Sequence, residues 1–324
     1  MVLDDAIAFV FDGEGGARAI APDAPAGDLD GPPFEWRHFR RDAPGTMAQL
    51  EAAGLDPYVI AALTAEDTRP RCTRHGSGVV MNLRGVNLNP GAEPEDMVSV
   101  RLWLEKDRVI GVWIRQLRAV DDLIEAIENG RGVVSVGNFV ARLATRLAEG
   151  AEPYIATLSD KIDDVEEAVL APEPTSPTAR GALSALRRSA IVLRRYFVPQ
   201  RDALIAFETE DLGWLKEQDR IRLREALERT IRLGEELDTI RDRAQLVQEQ
   251  IMDERAERLS DQSLLLSVVA AIFLPLGLLT GLLGINVGGI PGAANPWAFA
   301  IVCFLVVAIG VGLFLWVRAS GLFR

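Results

Sequence analysis

Gly284-Ile285-Asn286 stands near the middle of a long uncharged stretch and runs directly into Val287-Gly288-Gly289-Ile290-Pro291-Gly292. The amide oxygen of Asn286 and the loop carbonyls beside it are hard oxygen acceptors without net charge. Such a set suits a divalent cation whose water shell is held rather than stripped. Asn beside Gly is also a common way to end a helix, so the same residues admit a purely structural role.

Upstream, Ser263, Ser267, Ala270, Gly277, Gly281 and Gly284 recur at helical spacing, with Leu274 filling the remaining step. Steps of three, four or seven keep these residues within about 60° of one direction at about 100° per residue. Gly277-x-x-x-Gly281 is a signature of close helix packing. A stripe of small side chains and hydroxyls also suits the wall of a narrow pore. The pattern leaves both readings open. A different chemistry is offered by Cys72 and His75, a Cys-x-x-His pair that would supply two metal ligands. The only other histidine is His38, so a tetrahedral site there would need carboxylates, and a loop or the start of a strand is the plainer reading.

The elements that carry the first two groups follow from length. No charged residue occurs from Gln262 to Val317. A helix rises about 1.5 Å per residue, so crossing about 30 Å of hydrocarbon takes about 20 apolar residues. Residues 264–283 supply one such run and 297–317 a second. The Gly/Pro/Asn-rich connection at 286–296 is too short for a domain, so the two runs form a helical hairpin. Arg255, Arg258, Arg318 and Arg324 flank its outer ends while the connection carries no charge. Basic residues are retained on the cytoplasmic side, which predicts cytoplasmic termini and a tripeptide on the far side of the membrane. Residues 1–21 have early acids and no long apolar core, so no signal peptide is expected.

The chain has 35 basic and 47 acidic residues, a net charge of −12, and all of that charge lies outside the hairpin. Nucleic acid is therefore an unfavourable partner. Cys72 lies in the soluble part and Cys303 in the second span, which predicts two reduced thiols. Strands are expected at 7–11, 34–38, 79–86, 97–105 and 108–115, and helices at 47–53, 57–65 and 120–129. Together they predict a mixed sheet with helices packed on it.

Beyond residue 135 the pattern is that of long helices, at 136–149 continuing from 153 to 170, and at 178–207 with a kink at Pro199. The Pro-rich segment 171–177 separates them. A third helix is expected from about Leu212, with an apolar face at Leu227, Ile231, Gly234, Leu237, Ile240, Ala244, Val247 and Ile251. No proline interrupts it before Leu274, which predicts a helix about 100 Å long that enters the membrane. Helices of that length need partners, so an oligomeric stalk is expected.

Taken together, a Gly-x-Asn tripeptide after the penultimate span, a short outer loop, a final span with a basic tail, a very long helix and an α/β N-terminal domain resemble the CorA superfamily of divalent-cation transporters. Ile285 in place of Met, the Gly-Gly-Ile-Pro-Gly continuation, and the segments at 71–75 and 82–87 resemble its ZntB zinc-transporter branch. The resemblance implies an α+β membrane protein assembled as a homopentameric funnel, with five first spans around a central pore. It implies Gly284, Ile285 and Asn286 as the selectivity entrance, with Asn286 holding the hydrated ion, and Ser263, Ser267, Leu274, Gly277 and Gly281 as pore lining. The outer loop has no acid to concentrate cations. Glu249, Asp253, Glu257 and Asp261 on the stalk are candidates for that task inside the funnel.

The expected division is an α/β domain at 1–134, a long-helix stalk at 135–262, the hairpin at 263–317 and a basic tail at 318–324. The resemblance implies passage of Zn2+ across the bacterial inner membrane, with proton-coupled uptake preferred, and the absence of a phosphate-binding Gly-rich loop points to passive or ion-coupled movement without ATP. The implied partners are the lipid bilayer, divalent cations and further copies of the chain, with no cofactor besides the transported ion. Mg2+ or Co2+ passage is the near alternative, and a membrane-anchored sensor the distant one. Two histidines and no Ser/His/Asp signature give an enzyme little to work with.

Overall fold

The computed structural model describes residues 5–24, 34–66, 69–170, 177–285, 292 and 295–319. The chain divides into two compact units, Met1–Gln248 and Glu249–Arg324.

The first unit is built on one mixed sheet. Its strands are β1 (Ala6–Phe11), β2 (Ala17–Ala19), β3 (Phe34–Arg40), β4 (Arg71–His75), β5 (Gly78–Gly85), β6 (Val98–Leu104) and β7 (Arg108–Trp113), in the spatial order β2-β1-β3-β7-β6-β5-β4. Among the described residues only β3 and β7 pair in parallel, with Trp36 beside Val109 and His38 beside Gly111. The remaining neighbours are antiparallel. Helices cover both faces, which explains why β5 reads Val79-Val80-Met81 rather than alternating apolar and polar. Along β5 and β6, Val79, Met81, Leu83, Val100, Leu102 and Leu104 enter the larger core, whereas Val80 and Trp103 enter the smaller one.

The smaller core lies under α1 (Thr46–Ala52) and α2 (Pro57–Thr64), which contribute Leu50, Val59, Ile60 and Leu63. The start of α2 is set locally: the Asp56 carboxylate accepts from Tyr58 N at 2.8 Å, and Pro57 occupies the first helical position. The larger core is closed by α3 (Arg118–Glu128), by α4 (Val136–Leu170), by α5 (Pro177–Thr209) and by the first turns of α6 (Glu217–Leu283).

Two of these helices differ from expectation. α4 runs without a break through Pro153. A proline inside a helix costs about 3 kcal/mol, and the burial of Ala151 and Ile155 on either side of it offsets that. α6 begins at Glu217 rather than near Leu212, because Leu212 and Leu215 are both buried and form a turn in which Leu215 N donates to Leu212 O at 2.9 Å. Asp219 then accepts from the Ser135 hydroxyl at 2.7 Å, tying the first turn of α6 to the head of α4.

Within this unit the buried positions of α6 are Asp219, Leu223, Ala226, Thr230, Leu233, Leu237, Ile240, Ala244 and Val247. They advance by strict alternation of three and four residues, the spacing of a coiled-coil seam. The expected face began at Leu227, Ile231 and Gly234, which are only half-buried. Those residues lie one position round the helix from the true seam. Charged pairs bracket the seam, with Arg243 joining Asp163 and Glu166 of α4, Arg229 joining Glu149, and Arg194 of α5 joining Asp238.

The second unit holds the C-terminal part of α6 and α7 (Ala298–Ala319). Both helices carry windows long and apolar enough to cross a membrane, with mean hydropathy 2.3 and 2.9, and neither window is buried within the chain.

Candidate functional site

The hairpin packs along one row on each helix. On α6 the more buried residues are Leu264, Val268, Ile272, Leu276 and Leu279, and on α7 they are Ala298, Val302, Val306, Gly310, Leu313 and Val317. Leu276 and Gly310 mark where the rows meet: a β carbon placed on Gly310 would lie 3.5 Å from Leu276 Cδ1. At about 100° per residue, the α6 row points about 170° away from the mean direction of the small-residue stripe.

Ser263, Ser267, Leu274, Gly277, Gly281 and Gly284 are all exposed within the chain. A β carbon on Gly277 or on Gly281 would meet nothing within 4 Å. The glycines are therefore not there to let α7 approach, and among the described residues nothing packs against Gly277 or Gly281. The Ser267 hydroxyl donates to Ser263 O at 2.8 Å, which leaves its lone pairs directed outward as acceptors.

The end of α6 is tight. Gly284 N donates both to Thr280 O at 2.9 Å and to Gly281 O at 3.2 Å, a closing turn of the 3₁₀ kind. Ile285 follows with its side chain half exposed. Asn286 and the Gly-Gly-Ile-Pro continuation lie outside the described residues. On the far side of the connection Gly292 adopts φ +79°, and Asn295 starts α7 by accepting from Trp297 N at 2.9 Å through its side chain.

Glu249, Asp253, Glu257 and Asp261 are exposed on α6. Steps of four rotate the direction by about 40° each, so Glu249 lies nearest the azimuth of the stripe and Asp261 nearly opposite it. They form a gently winding line of negative charge rather than a single rank.

The Cys-x-x-His pair is separated by the strand that carries it. Cys72 and His75 lie three residues apart on β4, so their side chains leave opposite faces of the sheet. Cys72 packs against the larger core, and burial pushes its thiol up to about 12. His75 stacks on Tyr58 with ring centroids 5.0 Å apart, and its Nε2 stands 3.6 Å from Asp56. The two cannot share an ion. Among the described residues no group of three or more His, Cys, Asp or Glu is arranged to hold a metal.

Two residues that the sequence reading did not single out frame the second span. Trp297 and Trp316 are exposed at its opposite ends, where the amphipathic indole ring favours the membrane interface.

A mixed-sheet domain, followed by a long helix and an apolar hairpin with tryptophans at its limits, defines an integral membrane protein with a large soluble part. The chain belongs to the CorA family: the family model described as CorA-like Mg2+ transporter protein matches residues 33–318. It is thus a divalent-cation transporter. It is 41% identical over 312 residues to the divalent cation transporter CmaX of Pseudomonas aeruginosa, covering 95% of this chain and 93% of the relative. It is 34% identical over 320 residues to the zinc transport protein ZntB of Yersinia enterocolitica, covering 98% and 96%. The solved structure of full-length CmaX superposes with a TM-score of 0.80 at 36% identity and covers 98% of each chain.

Proposed function

We propose that this protein is a homopentameric Zn2+ transporter of the inner membrane, with both termini cytoplasmic. Five copies of α6 surround the pore, and Gly284, Ile285 and Asn286 form its outer entrance. Ser263, Ser267, Leu274, Gly277 and Gly281 line the path. Glu249, Asp253, Glu257 and Asp261 raise the local cation concentration below it. The observation that carries this reading is the opposition of the two faces of α6: its apolar row meets α7, while the small and hydroxyl residues face away and are exposed, with no described residue against Gly277 or Gly281. In a ring with α7 outside, the stripe would face the axis.

A neutral entrance of amide and carbonyl oxygens binds weakly enough to release what it admits. Transport then needs a driving gradient, and we favour inward movement of Zn2+ with protons. The ZntB relatives support zinc as cargo. The identity to CmaX favours a second reading, a broader divalent selectivity that includes Mg2+ and Co2+.

Reconstitution into vesicles tests both. Uptake of Zn2+, Co2+ and Mg2+ should be measured with and without an imposed pH gradient, for the wild type and Asn286→Ala. Zinc uptake that is faster than magnesium uptake, rises with an inward proton gradient and is lost in Asn286→Ala is expected. Magnesium flux above zinc flux removes the zinc assignment, and unchanged flux in Asn286→Ala removes the entrance.

A further inference from the structure

The first unit contains a basic cleft that ion permeation does not use. It lies between α3 and α4, has a volume of about 260 Å³, and is lined by Leu123 and Ala126 on one side and by Arg131, Arg142, Thr145, Arg146 and Glu149 on the other. Arg222 of α6 is close enough to act on Arg142 electrostatically. In a chain of net charge −12, three guanidinium groups thus line one concavity.

Their partners are unevenly distributed. Arg146 pairs with Glu149 at 3.2 Å, and Arg229 pairs with the other oxygen of the same carboxylate at 3.2 Å, so that one negative charge is shared by two cations. Arg131, Arg142 and Arg222 form no ion pair among the described residues. Arg142 is instead held by backbone: its Nη1 donates to the carbonyls of Arg131 and Gly132. Those bonds fix the plane of the guanidinium without neutralising it. Burial first, then repulsion from Arg222, Arg146 and Arg131, pushes Arg142 below the ordinary arginine range.

Like charges gathered in a partly desolvated cleft are costly, and a bound anion relieves that cost directly. The planar donor forks of arginine match the spacing of tetrahedral oxyanions and bind them with paired hydrogen bonds. A water molecule takes about 30 Å³, so the cleft has room for such an anion with part of its shell or an attached group. Thr145 adds a hydroxyl at the rim, although that hydroxyl already donates to Ala141 O at 2.9 Å and so serves as an acceptor.

We propose that this cleft binds a small oxyanion of the phosphate class, free or as the phosphoryl group of a nucleotide, through Arg142, Arg146 and Arg131. Equilibrium dialysis of the full-length protein in detergent against radiolabelled inorganic phosphate is the test, with AMP, ATP, sulfate and chloride as competitors. Saturable binding of one phosphate per chain is expected, weakened at least tenfold by Arg142→Gln. Glu149→Gln should tighten binding, because it frees Arg146 and Arg229, and no loss of folding can mimic that gain. Displacement by AMP or ATP well below the concentration of phosphate needed assigns the site to a nucleotide phosphoryl group; equal potency assigns it to the free anion. The proposal is overturned by absence of saturable binding, by unchanged affinity in Arg142→Gln, or by chloride competing as well as phosphate.

Discussion

Leu276 of α6 rests on Gly310 of α7, with 3.5 Å between Leu276 Cδ1 and the place a β carbon on Gly310 would take. That is ordinary van der Waals distance, so the site accepts a methyl. Gly310→Ala should change thermal stability in detergent by only about 0.5 kcal/mol, the scale of a well-tolerated substitution. Gly310→Phe should lower it by roughly 1–3 kcal/mol through overpacking. Equal melting temperatures for the two variants would contradict the packing of the hairpin along this row.

The opposite face of the same helix behaves differently. Among the described residues, Gly281 has nothing within 4 Å of its missing side chain, so Gly281→Leu meets no described neighbour at its β carbon. If the stripe lines the conduction path, this variant should lose at least tenfold in zinc flux in vesicles while still assembling and keeping its melting temperature. Phe304→Leu, on an exposed position of α7, serves as the control. Flux in Gly281→Leu equal to that of the control would place the pathway elsewhere.

His38 gives the soluble unit a pH dependence. It is fully buried between Trp36 and Trp113, and burial pushes its pKa from 6.5 down to about 3. The folded state therefore holds the imidazole neutral while the unfolded chain takes up a proton below 6.5. Stability from this group is intact above about pH 6.5 and falls as pH drops toward 3, by up to about 1.4 kcal/mol per pH unit. His38→Gln should flatten the acid limb by close to one proton, read from denaturant midpoints between pH 6 and pH 4 by the fluorescence of the adjacent Trp36. An unchanged acid slope would show that other groups govern it.

The seam of α6 and the charges beside it should contribute unequally. Leu237 is fully buried, and Leu237→Ala should cost about 2–5 kcal/mol. Arg243 bridges Asp163 and Glu166, whose side chains are 60% and 31% exposed. Solvent screening limits such a network to about 1 kcal/mol, so Arg243→Met should be the milder change in denaturant unfolding. A larger loss for Arg243→Met would reverse the order of importance assigned to packing and charge.

Much of this was readable from residue patterns, for reasons that differ by element. β5, β6 and β7 announced themselves because both faces are covered and nearly every side chain is apolar. β2 and β4 did not: Ala17-Arg18-Ala19 is wholly exposed, Arg71 to His75 is mostly polar, and an edge strand is held by backbone bonds that leave no periodic trace. The small-residue stripe was visible as a pattern. Its meaning was not, since only the position of α7 distinguishes a packed face from an open one. The phase of the α6 seam slipped for a related reason: Ala226 and Thr230 are buried yet weakly apolar, while Leu227 and Ile231 beside them look more hydrophobic. The basic cleft was hidden because Arg131 follows α3 while Arg142 and Arg146 lie on α4, and they share one concavity only after α3 and α4 have packed.

Trp297 and Trp316, described above as the limits of α7, stand about 28 Å apart along the helix at 1.5 Å per residue, a little under the hydrocarbon thickness of a typical bilayer at about 30 Å. The second span is thus a molecular ruler with both ends marked. In a thicker bilayer it has no spare length to tilt, so the lipid must thin around it or the helices must shift, each at a fraction of a kcal/mol per Å. Acyl-chain length is therefore a physical variable expected to act on this transporter, independent of the ion it carries.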